Sequence, residues 1–168
     1  NGRCYGDSSL QKNIFSTLQL NKFLAFDTAN GTITCESGVL LSDMLDVIVP
    51  KGFFLPVSPG TKFITLGGAI AANVHGKNHH KDGTISKHIL SFKLLLASGE
   101  IIMCSATENF EVFKDTIGGM GLTGIITQAT IRLKPISTSF IKQKTLKAGN
   151  LKTVFEYFEK YEHYTYSV

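Results

Sequence analysis

Between Thr65 and Val74 the chain reads Thr-Leu-Gly-Gly-Ala-Ile-Ala-Ala-Asn-Val, with no aromatic ring, no charge and no side chain larger than leucine. A Gly-Gly pair followed by alanines suits a short helix, expected over residues 67–74, that packs closely against its neighbours. The same pair can present free N–H groups and the positive end of a helix dipole to an anion such as phosphate. Thr61 and Thr65 flank the segment and are able to offer hydroxyl hydrogen bonds to the same oxygens. On these residues alone, tight packing and anion binding stand as equal readings.

More than half of the 16 glycines fall in three tight groups, of which this segment is one. Gly2-Arg3-Cys4-Tyr5-Gly6-Asp7-Ser8 is a short polar loop bracketed by glycines, which lets backbone N–H groups converge on one anion. Arg3 adds charge, and Tyr5 a ring able to lie against a planar ligand; the alternative is an ordinary surface turn. Gly119-Met120-Gly121-Leu122-Thr123-Gly124 matches GxGxxG in letters only. A dinucleotide fingerprint follows a strand, opens a helix and has an acidic residue ~20 positions on. Here a helical pattern precedes, a strand pattern follows, and no Asp or Glu occurs from Gly124 through Lys152. The segment reads as a helix-to-strand turn.

His75-Gly76-Lys77-Asn78-His79-His80 follows the small-residue stretch directly. His75 and His79 stand at i,i+4, yet Gly76 and Asn78 favour leaving a helix and no carboxylate or cysteine accompanies the pair, so no metal site is expected. A solvated His/Lys turn is one reading. The other is a His and a Lys that orient or polarise a substrate oxygen beside the anion site.

Composition narrows the classes. At 168 residues, 43% hydrophobic and 18% charged, the chain is long enough for a domain core and too apolar for disorder. Lys93 breaks the most apolar stretch, so no transmembrane span is expected, nor does the start resemble a signal peptide. The formal charge is +4, and every cation but Arg3 and Arg132 is a lysine, dispersed along the chain. That argues against nucleic acid as a partner. Cys4, Cys35 and Cys104 have no CxxC spacing and suggest free thiols in a reducing compartment.

Periodicity predicts strands over 33–36, 53–57, 88–97, 101–105 and 125–133, the third and fourth as a hairpin around Ser98-Gly99. Residues 137–145 are expected to partner the strand at 125–133, and 164–168 to begin another. Helical faces recur at Leu41, Met44, Leu45 and Ile48, at Phe110, Phe113 and Ile117, and at Val154, Phe155 and Phe158. Strands and helices do not alternate regularly, so the class is α+β.

Taken in order, the first loop, Pro59-Gly60-Thr61, the run from Thr65 through His80, Leu94 to Glu100 and Gly118 to Gly124 resemble the FAD-binding domain of the vanillyl-alcohol oxidase/PCMH flavoproteins. Within that superfamily they are most similar to the decaprenylphosphoryl-β-D-ribose oxidase-like bacterial flavoproteins. The resemblance implies two α+β subdomains holding FAD between them. Residues 1–148 would be that domain, lacking part of its first subdomain, and 149–168 would begin a substrate (cap) domain. It implies that Gly2, Arg3, Cys4, Tyr5, Gly6, Asp7 and Ser8 meet the FAD pyrophosphate. Gly60, Thr61, Thr65, Gly67 and Gly68 would meet the phosphates and ribityl chain, Ala72, Val74 and His75 the flavin, and Ile126 the adenine side. His75, Lys77 and Tyr5 would line the substrate face.

Many members tether FAD through a first-loop histidine, where Arg3 stands here, which implies non-covalent FAD. The implied reaction oxidises a secondary alcohol of a small or lipid-linked sugar, with an NAD(P)H-dependent reductase as partner. The implied location is cytoplasmic, with membrane association through a lipid-linked substrate. A non-catalytic nucleotide- or anion-binding module is the alternative.

Overall fold

Asp27 accepts the N–H groups of Ala29 and Asn30 at 2.9 and 3.0 Å, and Gly31 follows at φ +62°. This side-chain-braced turn joins β1 (Phe23–Asp27) to β2 (Thr32–Glu36) as an antiparallel hairpin. The structure is a computed structural model and describes all residues of the chain except Tyr5, Asp7, Ser8 and Ser9. After β2 come helix α1 (Leu41–Ile48), β3 (Phe53–Phe54), α2 (Leu66–Ala71), α3 (His79–Asp82), β4 (Ile89–Leu95) and β5 (Ile101–Ser105). Helix α4 (Phe110–Thr116), β6 (Ile125–Arg132), β7 (Lys134–Pro135) and α5 (Leu151–Lys160) complete the order.

Five strands form one antiparallel sheet in the order β1-β2-β6-β4-β5, and β3 pairs with β7 apart from it. Side-chain alternation then sorts the two faces. Ile33 and Cys35 of β2, Ala129 and Ile131 of β6, and Phe92 and Leu94 of β4 are buried. They join Leu41, Met44 and Ile48 of α1, Leu66, Ala69 and Ile70 of α2, and Phe113 of α4 in one core. Phe92 and Phe113 stack at 5.2 Å. On the opposite face Thr34 and Thr130, directly paired, share a hydroxyl hydrogen bond of 2.9 Å. The architecture is therefore α+β, with helices packed on one face of an antiparallel sheet.

Three predicted elements differ. Residues 137–145 form no strand, because both edges of β6 are already occupied, by β2 and β4. Residues 164–168 form none either; Ser167 N–H is instead donated to the Lys77 carbonyl at 3.0 Å. The strand expected over 53–57 shortens to Phe53–Phe54, the span its partner Lys134–Pro135 can pair.

The small-residue helix ends at Ala71, short of the expected 74. Gly118 and Met120 donate their N–H groups to the carbonyls of Ile70 and Ala71, and Asn73 turns the chain at φ +43°, a conformation asparagine tolerates better than most residues. Strand β1 went unforeseen because it is an edge strand, largely exposed and without alternation. Among the described residues no helix is long and apolar enough to cross a membrane.

Candidate functional site

At the first turn of helix α2 the amides find partners within the chain. Leu66 N–H goes to Val39 O and Gly67 N–H to Ser37 O, both at 2.8 Å. Ala69 N–H goes to Thr65 O at 2.9 Å, and Gly68 N–H to Thr65 Oγ1 at 3.2 Å. The free N–H groups expected at Gly67 and Gly68 are thus spent within the chain, and the requirement for Gly67 is steric. A Cβ there would lie 2.8 Å from Ser37 Cβ, so glycine is what lets α2 sit down on the turn after β2. Thr65 is a buried N-cap whose hydroxyl oxygen is already an acceptor. Gly68 is exposed, and its bond is the longest of the four, leaving it the amide best able to be shared.

Hydrogen bonds bring the glycine-rich loops together. Asn1 Nδ2 donates to Phe63 O at 2.7 Å, laying the start of the first loop against the segment that holds Gly60, Thr61 and Thr65. Leu41 and Ser42 N–H groups reach Ile64 O and Lys62 O, both at 2.9 Å, pinning that segment to the start of α1. Gly2, Arg3, Cys4 and Gly6 are exposed. A Cβ at Gly2, Gly6 or Gly60 would meet nothing within 4 Å, so these glycines border open space rather than packed neighbours. Tyr5, Asp7 and Ser8 lie outside the described residues.

The histidine-rich segment leaves α2 through Val74 and enters an isolated antiparallel bridge between His75 and Thr84. His75 and His79 therefore do not share a helix; α3 begins at His79, and the two rings meet edge to face at 5.5 Å. Gly76 explains how this loop meets the other. A Cβ at Gly76 would overlap the Ser58 carbonyl oxygen, so the backbone of 75–77 runs directly along Ser58, next to Pro59-Gly60-Thr61. Ser58 Oγ is buried without a hydrogen-bond partner at this junction. His75 and Lys77 are exposed, as is Ala72, and Val74 is half-buried.

The third glycine group caps the far end of α2, as the Gly118 and Met120 bonds show. Gly124, at φ +153°, would put a Cβ 2.5 Å from Leu95 O. Ile126 lies within β6 opposite Leu94 and is 6% exposed, its side chain part of the core.

The set suits a long anionic cofactor with a planar end: open glycine loops tied together, an unpartnered buried hydroxyl between them, and an imidazole and an ammonium alongside. Residues 3–105 match the FAD binding domain family. The chain belongs to that family.

Its cofactor is accordingly FAD. The chain is 36% identical to decaprenylphosphoryl-beta-D-ribose oxidase of Mycolicibacterium smegmatis, across 99% of this chain and 37% of that protein. It is 32% identical to a D-lactate dehydrogenase of Anaerostipes hadrus, across 76% of this chain and 28% of that one. Among solved structures, an alkyldihydroxyacetonephosphate synthase superposes with a TM-score of 0.61 at 26% identity, covering 70% of this chain and 23% of the other. The chain thus spans little more than a third of the first of these relatives and less of the others. The family is one of FAD-binding oxidoreductases, with oxidases and dehydrogenases among the relatives.

Sequence reasoning missed Ser58, Asp82 and Lys134. Ser58 carries no motif, and Asp82 and Lys134 meet across 52 positions.

Proposed function

We propose that the protein containing this domain oxidises a secondary alcohol on a sugar, removing a hydride to FAD and leaving a ketone. The observation that carries this reading is the contact of Gly76 with Ser58, which holds His75 and Lys77 beside the Pro59–Thr61 loop. The decaprenylphosphoryl-beta-D-ribose oxidase similarity across 99% of the chain supports the sugar substrate, lipid-linked or a simple polyol.

In this reading Gly2, Arg3, Cys4 and Gly6, with Tyr5, Asp7 and Ser8 of the same loop, hold the diphosphate of FAD from one side. Gly60, Thr61 and Gly68 hold it from the other, Thr65 serving by capping α2 and Gly67 by letting α2 approach. Ala72, Val74 and His75 flank the ring system, and the Ile126 backbone faces the adenine side. When bound, FAD supplies the two-electron acceptor. The Lys77 ammonium and the His75 imidazole orient and polarise the substrate hydroxyl, and Tyr5 is assigned the same role. The hydroxyl proton leaves to a basic group or to water as the carbon–oxygen double bond forms. Arg3 offers no imidazole for a covalent link, so FAD is held non-covalently. The ketone is the natural substrate of an NAD(P)H-dependent reductase, a cytoplasmic partner in this proposal. Residues 1–148 belong to the FAD-binding domain and 149–168 to the beginning of a substrate domain.

The test uses the full-length protein. It purifies with a flavin absorbance band that passes to the supernatant on acid precipitation; yellow colour retained on the pellet overturns the non-covalent assignment. Turnover with polyols or a polyprenyl-phosphate pentose, and not with D-lactate or glycolate, supports the sugar reading, and the reverse preference overturns it. A His75→Ala variant that turns over normally removes the role given to that residue.

A further inference from the structure

Asn78 sits in the middle of the His-rich segment, between exposed Lys77 and His79, yet it is 0% exposed. Its amide spends both hydrogens: Nδ2 donates to Pro56 O and to Asp82 Oδ2, each at 2.7 Å. Both partners are acceptors, so the amide has one possible orientation. Asn78 Oδ1 then points the other way, buried and without a donor. The Cβ that Gly76 lacks would lie 2.9 Å from that oxygen. Asp82 is held in turn by Lys134 Nζ, 2.9 Å from Oδ2 and 3.2 Å from Oδ1. Lys134 belongs to β7, opposite Phe54 of β3.

One side chain therefore ties three pieces together: the chain leading into Ser58-Pro59-Gly60-Thr61, the loop carrying His75 and Lys77, and the small β3-β7 pair. We infer that Asn78 is a positioning residue that fixes His75 and Lys77 relative to the Pro59–Thr61 loop, with Asp82 and Lys134 as its anchor. This inference rests on the oxidoreductase reading above. The chemistry selects asparagine: a leucine would orphan Pro56 O and leave Asp82 Oδ2 with Lys134 alone, and an aspartate would set two carboxylates against each other. The unpartnered Oδ1 is the cost of aiming both donors at those acceptors, and Gly76 makes room for it.

The experiment compares full-length holoenzyme with its Asn78→Ala, Asn78→Asp and Asp82→Asn variants, reading flavin content, visible circular dichroism of the flavin, kcat and KM. Displacing groups beside a reacting centre by about 1 Å costs up to ~100-fold in rate. Asn78→Ala is therefore expected to keep its far-ultraviolet spectrum, change the flavin dichroism and lose roughly 10–100-fold in kcat, with KM moving less. Asp82→Asn keeps an acceptor for Asn78 and loses less than Asn78→Ala.

Asn78→Asp covers the case in which the alanine variant does not fold. The paired carboxyls share a proton more readily as pH falls, so its kcat is expected to recover toward acid, a trend wild type does not show. A folded Asn78→Ala with unchanged dichroism and kcat, or an Asn78→Asp profile parallel to wild type, overturns the inference. Unaltered protein with no flavin overturns the oxidoreductase reading and this inference with it. Flavin and turnover in wild type with indifferent variants overturn only the role of Asn78.

Discussion

His80 Nε2 donates to the carbonyl of Tyr164 at 2.9 Å, and three residues on Ser167 N–H returns to the Lys77 carbonyl at 3.0 Å. Two bonds thus strap the segment after α5 across the loop that carries the proposed substrate-facing groups. Removing the imidazole in His80→Ala costs about 1 kcal/mol of local holding energy. The Ser167 amide should then exchange hydrogen roughly fivefold faster. Exchange mass spectrometry of the C-terminal peptide checks this, and an unchanged rate would show that the strap is held by other contacts.

Gly67→Ala sets helix propensity against packing. Alanine in a helix gains about 1 kcal/mol over glycine, but here its Cβ would lie 2.8 Å from Ser37 Cβ, and its N–H is committed to Ser37 O. Overpacking of this kind costs ~1–3 kcal/mol, so a net loss of stability is expected. Gly60→Ala, where a Cβ meets nothing, should leave stability within about 0.5 kcal/mol. Urea titration of both variants decides it; a Gly67→Ala protein as stable as wild type would contradict the close approach.

The Asp82 carboxyl sets a pH dependence. Burial pushes its pKa up, but hydrogen bonds from Lys134 and Asn78 and the charges of Lys134 and His88 outweigh burial and hold it below the usual range. A carboxyl depressed in the folded state binds protons more readily when unfolded, so its contribution is present above the unfolded value of ~3.9 and is lost as pH falls through the folded one. Wild type should therefore lose more stability than Asp82→Asn as pH is lowered from 6 to 3. Denaturation midpoints that run parallel across that range would remove Asp82 as a source of acid sensitivity.

The thiols should separate by reactivity. Burial alone pushes Cys35 up to about 12. Cys104 is raised by burial and then by the charge of Glu108, while Cys4 is exposed. Thiolate is the reactive form. Iodoacetamide at pH 8 should label Cys4 in the native protein and reach Cys35 and Cys104 only on unfolding, read by peptide mass spectrometry. Equal labelling of all three would contradict the burial of the sheet.

The helices at Leu41 and Phe110 and the hairpin around Ser98-Gly99 were legible because each is written locally, in periodicity or in a turn. The order of the strands was not, since nothing within residues 125–132 says that both edges will be taken. The motif strings pointed to glycine-rich loops that the structure brings together, but the amides of Leu66 and Gly67 are consumed by Val39 and Ser37, partners that no local pattern announces. Asn78 read only as a residue that favours leaving a helix, because its neighbours are histidines and a lysine. Its burial depends on Pro56, Asp82 and Lys134, and only folding brings those together.

The sheet order has a consequence for how the chain assembles. Strands β1-β2 and β4-β5 are local hairpins, whereas β6 enters between them and joins both. Until residue 132 has been synthesised, the inner edges of the two hairpins remain without a partner, as open templates for strands of other molecules. The stretch that matches the family ends at residue 105, before β6 begins. A polypeptide cut there would carry the glycine-rich loops and two hairpins with no strand between them, so the recognisable segment is shorter than the unit able to close its own sheet.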